Sequence, residues 1–282
     1  MKLCIIIHCT DQIGIISTTT NFIQQKGGNI VYLDQHVDRT LNVFFMRTEL
    51  VLKDGVSKEG FEAEFKSQVA DRYQMTYELY NSDRTPKMAV FVSKFNHCLY
   101  DILSRYQAGD WNVEIPFIIS NHPDLAPVAK QFNIPYYHIP VNKTNKKQAE
   151  EQQLRLLKDV GIDVIVLARY MQIISPELIN KFEDKIINIH HSFLPAFAGA
   201  KPYHAAFDRG VKIIGATSHY VTEDLDAGPI IEQDTTLVSH IHSVQDFISK
   251  GRDLEKIVLS KAISLHLNRK TIVYNNKTII FS

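Results

Sequence analysis

Asn188 and His190 close an apolar run, "KIINIHHSFLPAF" over 185–197. Residues two apart on a strand share a face, so this run aims an amide and an imidazole at one point. His191 points the other way or begins the following loop, which Pro195 and Gly199 mark. An immobilised amide N–H stabilises negative charge growing on a carbonyl oxygen, and an imidazole takes and returns a proton. Such a pair lacks only a carboxylate to orient the ring. "TEDLDAGPI" (222–230) supplies candidates, and Asp226 stands just before Ala-Gly-Pro, where the backbone turns tightly. Two other readings fit the same residues. An Asn and a His at a strand end also cap turns or fill polar niches. With 12 histidines in the chain, zinc is a further option. His190 and His191 are adjacent and diverge, however. His240 and His242 would chelate on a strand, but no Cys or Glu stands at ligand spacing. The expectation is therefore no metal.

Composition narrows the function classes. The chain has 282 residues, with 31 Lys plus Arg against 31 Asp plus Glu. That balance offers no electrostatic footprint for nucleic acid or a charged membrane surface. No apolar run approaches the roughly 20 residues that span a bilayer. The start, "MKLCIIIHCTD", is broken by His8 and Asp11 too early for a signal peptide. Cys4, Cys9 and Cys98 read as free thiols in a reducing cytoplasm; Cys4 and Cys9 fall on opposite faces of one strand and do not pair.

These side chains must be positioned by a scaffold, and the pattern gives two. Strands at 2–9, 30–37, 41–52 and 73–80, with helices after Ile13 and over 58–70, form the βαββαβ order of a ferredoxin-like unit. "NSDRTP" (81–86) reads as a linker, which gives domains 1–83 and 84–282. In the second, strands at 87–93, 115–119, 134–139, 163–168 and 186–190 alternate with helices at 97–108, 124–132, 146–160 and 176–183. That rhythm predicts a mainly parallel, Rossmann-like α/β sheet. Extended runs at 212–221 and 229–237 precede a long helix over 243–267, and "TIVYNNKTIIF" is a hairpin with an Asn-Asn turn. In an open parallel sheet, ligands bind beyond the strands' carboxyl ends, which is where "NIHH" falls.

The 49-residue block 186–234, with "NHCLYDILSRYQAGD" (96–110) and "VLARYMQIISPELI" (166–179), closely resembles the formyltransferase fold family that uses 10-formyltetrahydrofolate. More narrowly it is similar to that family's deformylase branch, and the resemblance covers essentially the whole chain. The N-terminal unit resembles an ACT domain, through "DQIGI" (11–15). The resemblance implies that Asn188, His190 and Asp226 are catalytic. It also implies that the folate sits against Leu167, Tyr170, Met171, Gln172, Ile174, Val221 and Asp224. For Leu167 and Ile174, plain core packing stays an alternative. Asp11, Gly14 and Ile15 would shape a regulatory pocket for an amino acid such as methionine or glycine. ACT domains commonly pair edge to edge, which implies a homo-oligomer.

Sister enzymes pass the formyl group to an amine. Glycinamide ribonucleotide transformylase cradles a phosphate on a glycine-rich turn after its first strand, as close backbone approach requires. Here that turn is "VSKFNHCL" (92–99), with no glycine. Its Lys94 and His97 either bind an anion or are ordinary loop residues. The additional β-barrel of methionyl-tRNA formyltransferase is not expected here. Water is the expected acceptor, with tetrahydrofolate and formate as products, no cofactor, and formate supplied to purine synthesis. Transfer to an amine such as glycinamide ribonucleotide is the alternative.

Overall fold

The computed structural model describes residues 1–53, 55–196, 199 and 201–282. The chain divides into a unit of Met1–Thr85 with Ile280–Ser282, and a unit of Pro86–Ile279. The division falls two residues beyond the expected 83/84, and the last three residues go with the N-terminal unit.

In that unit, β1 (Lys2–Thr10), α1 (Ile15–Gln25), β2 (Gly28–Asp38), β3 (Val43–Leu52), α2 (Lys58–Phe65) and β4 (Thr76–Asn81) run in sequence. The sheet is antiparallel, in the order β2-β3-β1-β4. Ile5, Ile7, Phe22, Phe61, Phe65 and Val69 fill its core. The second helix does not stop at 70. A π turn (Lys66–Ala70) leads into a last helical turn, α3 (Asp71–Tyr73), so β4 begins at 76 rather than 73. The wider turn keeps Val69, Ala70 and Tyr73 all buried, which a regular 3.6-residue period does not anticipate. Ser282 bonds Asp34 through its N–H and hydroxyl, and its carbonyl accepts from the Tyr32 hydroxyl at 2.6 Å.

The larger unit contains β5 (Met88–Val92), α4 (His97–Ala108), β6 (Ile118–Ser120), α5 (Ala126–Gln131), β7 (Tyr136–His138), α6 (Lys146–Val160), β8 (Val164–Ala168), α7 (Pro176–Lys181) and β9 (Ile186–His190). There follow α8 (Pro202–Arg209), β10 (Ile213–Tyr220), β11 (Ile230–Leu237), α9 (Val244–Leu267), and the hairpin β12 (Thr271–Tyr274) with β13 (Lys277–Ile280). The sheet order is β11-β10-β9-β8-β5-β6-β7. Strands β5 to β9 are parallel; β10 and β11 are antiparallel. β5 and β8 are buried at every residue, as strands covered on both faces must be. Val90, Val166 and Ile187 pack towards Val258 and Ala262 of α9, whereas Phe91, Ile165 and Ile186 belong to the opposite layer. The hairpin turns through Asn275 and Asn276 at φ 49° and 57°, the left-handed pair that a two-residue turn requires.

Helix α8 lies where the sequence reading placed only a loop. It has just eight residues, with Pro202 in its first turn and only Pro202, Tyr203 and Ala206 buried, too short for a clear periodic signal. Among the described residues, no helix is long and apolar enough to cross a membrane. All three cysteines are buried, and none forms a disulfide among the described residues.

Candidate active site

The carboxyl ends of β8 and β9 and the loop after β10 enclose a cleft of about 320 Å³. Asn188, His190 and Asp226 all line it. β10 runs back along β9 with Thr217 opposite His190 and His219 opposite Asn188. This antiparallel strand brings Asp226 to the ring: His190 Nδ1 lies 3.2 Å from Asp226 Oδ2. His190 is buried, and its Nε2 has no hydrogen-bond partner among the described residues. A buried polar atom of this kind calls for an explanation.

The Asp226 loop is built for a tight turn. Asp226 itself adopts φ 54°, a left-handed conformation that costs an ordinary residue roughly 1–2 kcal/mol. Gly228 is a steric requirement, because a Cβ there would fall 1.9 Å from the Tyr220 carbonyl oxygen. The Tyr220 N–H donates to Pro229 O (2.9 Å), and the Asn276 amide donates to Ala227 O (2.9 Å), so the hairpin tip holds the loop. The bond from His190, opposed by burial, holds the Asp226 carboxyl well below the usual carboxylate range.

His219 belongs to the same constellation and was not singled out by the sequence reading. Its Nδ1 lies 2.8 Å from Tyr220 O, which only accepts, so Nδ1 carries the proton. The Nε2 of the neutral ring then accepts from Asn188 Nδ2 at 3.1 Å. One amide hydrogen is thereby fixed and the other remains for the cleft. Asp226 Oδ1 stands 3.7 Å from the same Nε2. A signal existed: in "TSHY" (217–220), Thr217 and His219 stand two apart on β10, as Asn188 and His190 do on β9. Thr217 meanwhile fixes the loop after β9, accepting from Leu194 N–H (3.0 Å) and donating to Ser192 O (2.8 Å).

All seven residues expected against the folate line this cleft: Leu167, Tyr170, Met171, Gln172, Ile174, Val221 and Asp224. Leu167 and Ile174 are also core residues. Tyr170 is anchored by Gln153 Nε2 on its hydroxyl (3.1 Å), and burial pushes its phenol up to about 12. Met171 is half exposed at the mouth, and its N–H donates to Ser93 Oγ (2.9 Å). Arg169, also on the cleft, was missed; its φ is 64° and it is buried.

His191 is buried, with its ring 5.1 Å from that of His190 and 6.1 Å from that of Tyr203. Among the described residues, the one group of three metal-capable side chains is His97, Cys98 and Glu255. Its carboxylate already faces Arg169 Nε at 3.4 Å, a cation beside which a metal ion is disfavoured. Burial pushes the Cys98 thiol well up, away from the thiolate a metal needs. His242 Nδ1 instead accepts from the Ser239 N–H at 2.9 Å. In the N-terminal unit, Asp11, Gly14 and Ile15 line an open surface cleft with Gln35 and Val37. The Ile15 side chain itself is in the core, so it offers that cleft only backbone.

The formyl transferase family model matches residues 86–263. The formyltetrahydrofolate deformylase of Synechocystis sp. is 48% identical over 278 residues, covering 99% of this chain and 98% of that one. The deformylase of Bacillus subtilis is 43% identical, covering 99% and 93%. The crystal structure of a formyltetrahydrofolate deformylase from Pseudomonas syringae superposes with TM-score 0.96 at 42% identity, over 100% of this chain and 95% of that one. A glycinamide ribonucleotide transformylase from Symbiobacterium toebii matches with TM-score 0.67 and 25% identity, over only 70% of this chain. The full-length agreement with deformylases, on a sheet that ends in the Asn188–His190–Asp226 cleft, places this chain in the formyltetrahydrofolate deformylase family.

Proposed function

We propose that the chain hydrolyses 10-formyltetrahydrofolate to tetrahydrofolate and formate, with Asn188, His190 and Asp226 as the catalytic residues. The observation that carries this is His190: carboxylate-bound at Nδ1, and with an unpartnered, buried Nε2 on the cleft. With Nδ1–H donated to Asp226, Nε2 of the neutral ring is the base. It takes a proton as water adds to the formyl carbon. The Asn188 amide donates to the formyl oxygen as it becomes anionic, and Asp226 stabilises the imidazolium. Collapse of the tetrahedral adduct breaks the C–N bond, and His190 returns its proton to the leaving nitrogen. The products are tetrahydrofolate and formic acid, which releases its proton to solvent to give formate. The depressed pKa of Asp226 makes it a weak base, so orienting His190 suits it better than deprotonating water. The folate lies against residues 167–174 and 221–226.

No step requires a metal, and a chelator should leave the rate unchanged. The N-terminal unit acts as an ACT-type regulatory and assembly module. Its surface cleft at Asp11 and Gly14 takes an amino acid such as methionine or glycine, and exposed sheet edges pair copies into a homo-oligomer. The enzyme works in the cytoplasm and supplies formate for purine synthesis. The test is formate release from the purified protein and the folate alone, repeated with glycinamide ribonucleotide. Equal rates support hydrolysis; formyl label recovered on the amine would make the chain a transferase. Methionine and glycine titrations in native protein and in Asp11→Asn test the effector cleft, and identical responses would remove Asp11 from it.

A further inference from the structure

A second cavity, of about 150 Å³, is lined by the loop after β9, helix α8 and strand β10. Phe193, Tyr203, Ala206, Val211 and Ile214 make its wall apolar. Small residues leave the room. At Ala206, α8 contributes only a methyl group, and β10 passes with Gly215. A Cβ on Gly215 would fall 2.9 Å from Phe193 Cβ and 2.8 Å from the Asp234 carbonyl oxygen, so glycine is required there. Tyr203, Ala206 and Ile214 are held in a small apolar cluster with Val238 and Phe247. Phe193 and Ile213 line the cavity and are also partly exposed, so a small molecule has a route in.

Two polar residues set this cavity apart from a packing fault. Ser192 lines it and is 4% exposed, and its hydroxyl has no hydrogen-bond partner among the described residues. The Ser192 carbonyl already accepts from the Thr217 hydroxyl at 2.8 Å, so the side chain is what is left open. Buried hydroxyls are ordinarily bonded, and a ligand group would supply the partner. The second residue is His191, which lines both this cavity and the cleft of Asn188, His190 and Asp226. One side chain is thus a wall common to the two spaces, with its ring 5.1 Å from that of His190. Size and polarity define the occupant. An apolar cavity of about 150 Å³ takes a benzene-sized molecule. Among the described residues no Lys, Arg, Asp or Glu lines it, so a charged ligand would lose its water without gaining a counter-charge.

We propose that this cavity is a second small-molecule site, for a neutral, benzene-sized molecule with one hydrogen-bonding group, and that its occupant acts on His190 through His191. The binding half stands apart from the hydrolysis reading; the effect on rate rests on it. Phenol is the probe, and benzene, which has no group for Ser192, is its control. Thermal unfolding of the native protein without folate is followed as each is added. Phenol should raise Tm with concentration, as a ligand of the folded state does, and should bind about fivefold more tightly than benzene, the scale of one neutral hydrogen bond. Ala206→Leu fills the cavity from within and should abolish the shift. No rise in the native protein, or an equal rise in Ala206→Leu, would overturn the site. Should Ala206→Leu not fold, Ser192→Ala decides: phenol and benzene binding alike supports the site, and phenol keeping its advantage contradicts it. Formate release is then measured with saturating folate. Phenol should change kcat by about fivefold, within the usual range of coupling between sites, and should leave it unchanged in Ala206→Leu. Bound phenol with an unaltered kcat would overturn the action through His191. No formate with or without phenol would defeat the hydrolysis reading, while the unfolding result still decides the site.

Discussion

The pairs His190–Asp226 and His97–Glu255 join the same two residue types and are put to opposite uses. In one, His190 meets Asp226 at 3.2 Å, and the carboxylate keeps 22% of its surface on the cleft. In the other, His97 meets Glu255 at 2.8 Å, and the carboxylate is sealed at 1%. Asp226 leaves a ring nitrogen of its partner facing the cleft, unpartnered. Glu255 meets His97 at 2.8 Å, takes a hydrogen bond from Tyr203 and pairs with the Arg169 guanidinium. Burial opposes ionisation of Glu255, yet the bond from His97 and the charge of Arg169 outweigh it and hold the carboxyl below its usual range. The same pair of residue types is thus reactive or inert according to whether a second substrate-facing valence is left open.

The comparison breaks most visibly at Asp226. Asp226→Asn keeps the shape and removes the charge, so kcat should fall on the order of 10³-fold, while folate affinity by equilibrium titration stays within a few-fold. Near-native turnover would make Asp226 structural. Asn188→Ala should cost about 3–4 kcal/mol of transition-state stabilisation, read as kcat. Glu255→Gln should show the reverse profile, with its main loss in stability. An uncompensated Arg169 beside it should cost about 3–5 kcal/mol in urea unfolding.

A third histidine sharpens the contrast, since it has no carboxylate. His266 is buried, its Nδ1 shares a 2.8 Å hydrogen bond with the Tyr220 hydroxyl, and burial lowers its pKa to about 3. The native ring stays neutral where the unfolded ring, near its ordinary 6.5 or so, takes a proton. Stability should therefore fall as pH drops from about 6.5 towards 3, by at most about 1.4 kcal/mol per unit. His266→Gln should flatten that slope in pH-dependent unfolding. For Asp226 the folded pKa is also depressed. Its contribution is complete above about 4 and is lost only as pH falls through the lower folded value. The smallest effect belongs to the loop support: Asn276→Ala removes the bond to Ala227 O and should lower kcat a few-fold with stability changed by about 1 kcal/mol.

Much of this was legible in the chain. Apolar runs and period-2 spacing put Asn188 and His190 at a strand end on one face, and α4 and α6 occupy the expected spans. Three things were not. Helix α8 is too short for its periodicity to register. The π turn breaks the regular period at Val69. His219 on β10 and Arg169 just after β8 are brought to the cleft only by the fold, and Glu255 reaches Arg169 from a distant helix. His97 was visible as a residue, but its partner lies 158 positions away.

The central claim is that water receives the formyl group. A single turnover of 10-formyltetrahydrofolate on excess enzyme in ¹⁸O-enriched water, with formate analysed by mass spectrometry, tests it directly. The account predicts formate carrying one solvent oxygen, formed without any added amine. No labelled formate, with the formyl group recovered intact on the folate until an amine is supplied, would contradict it.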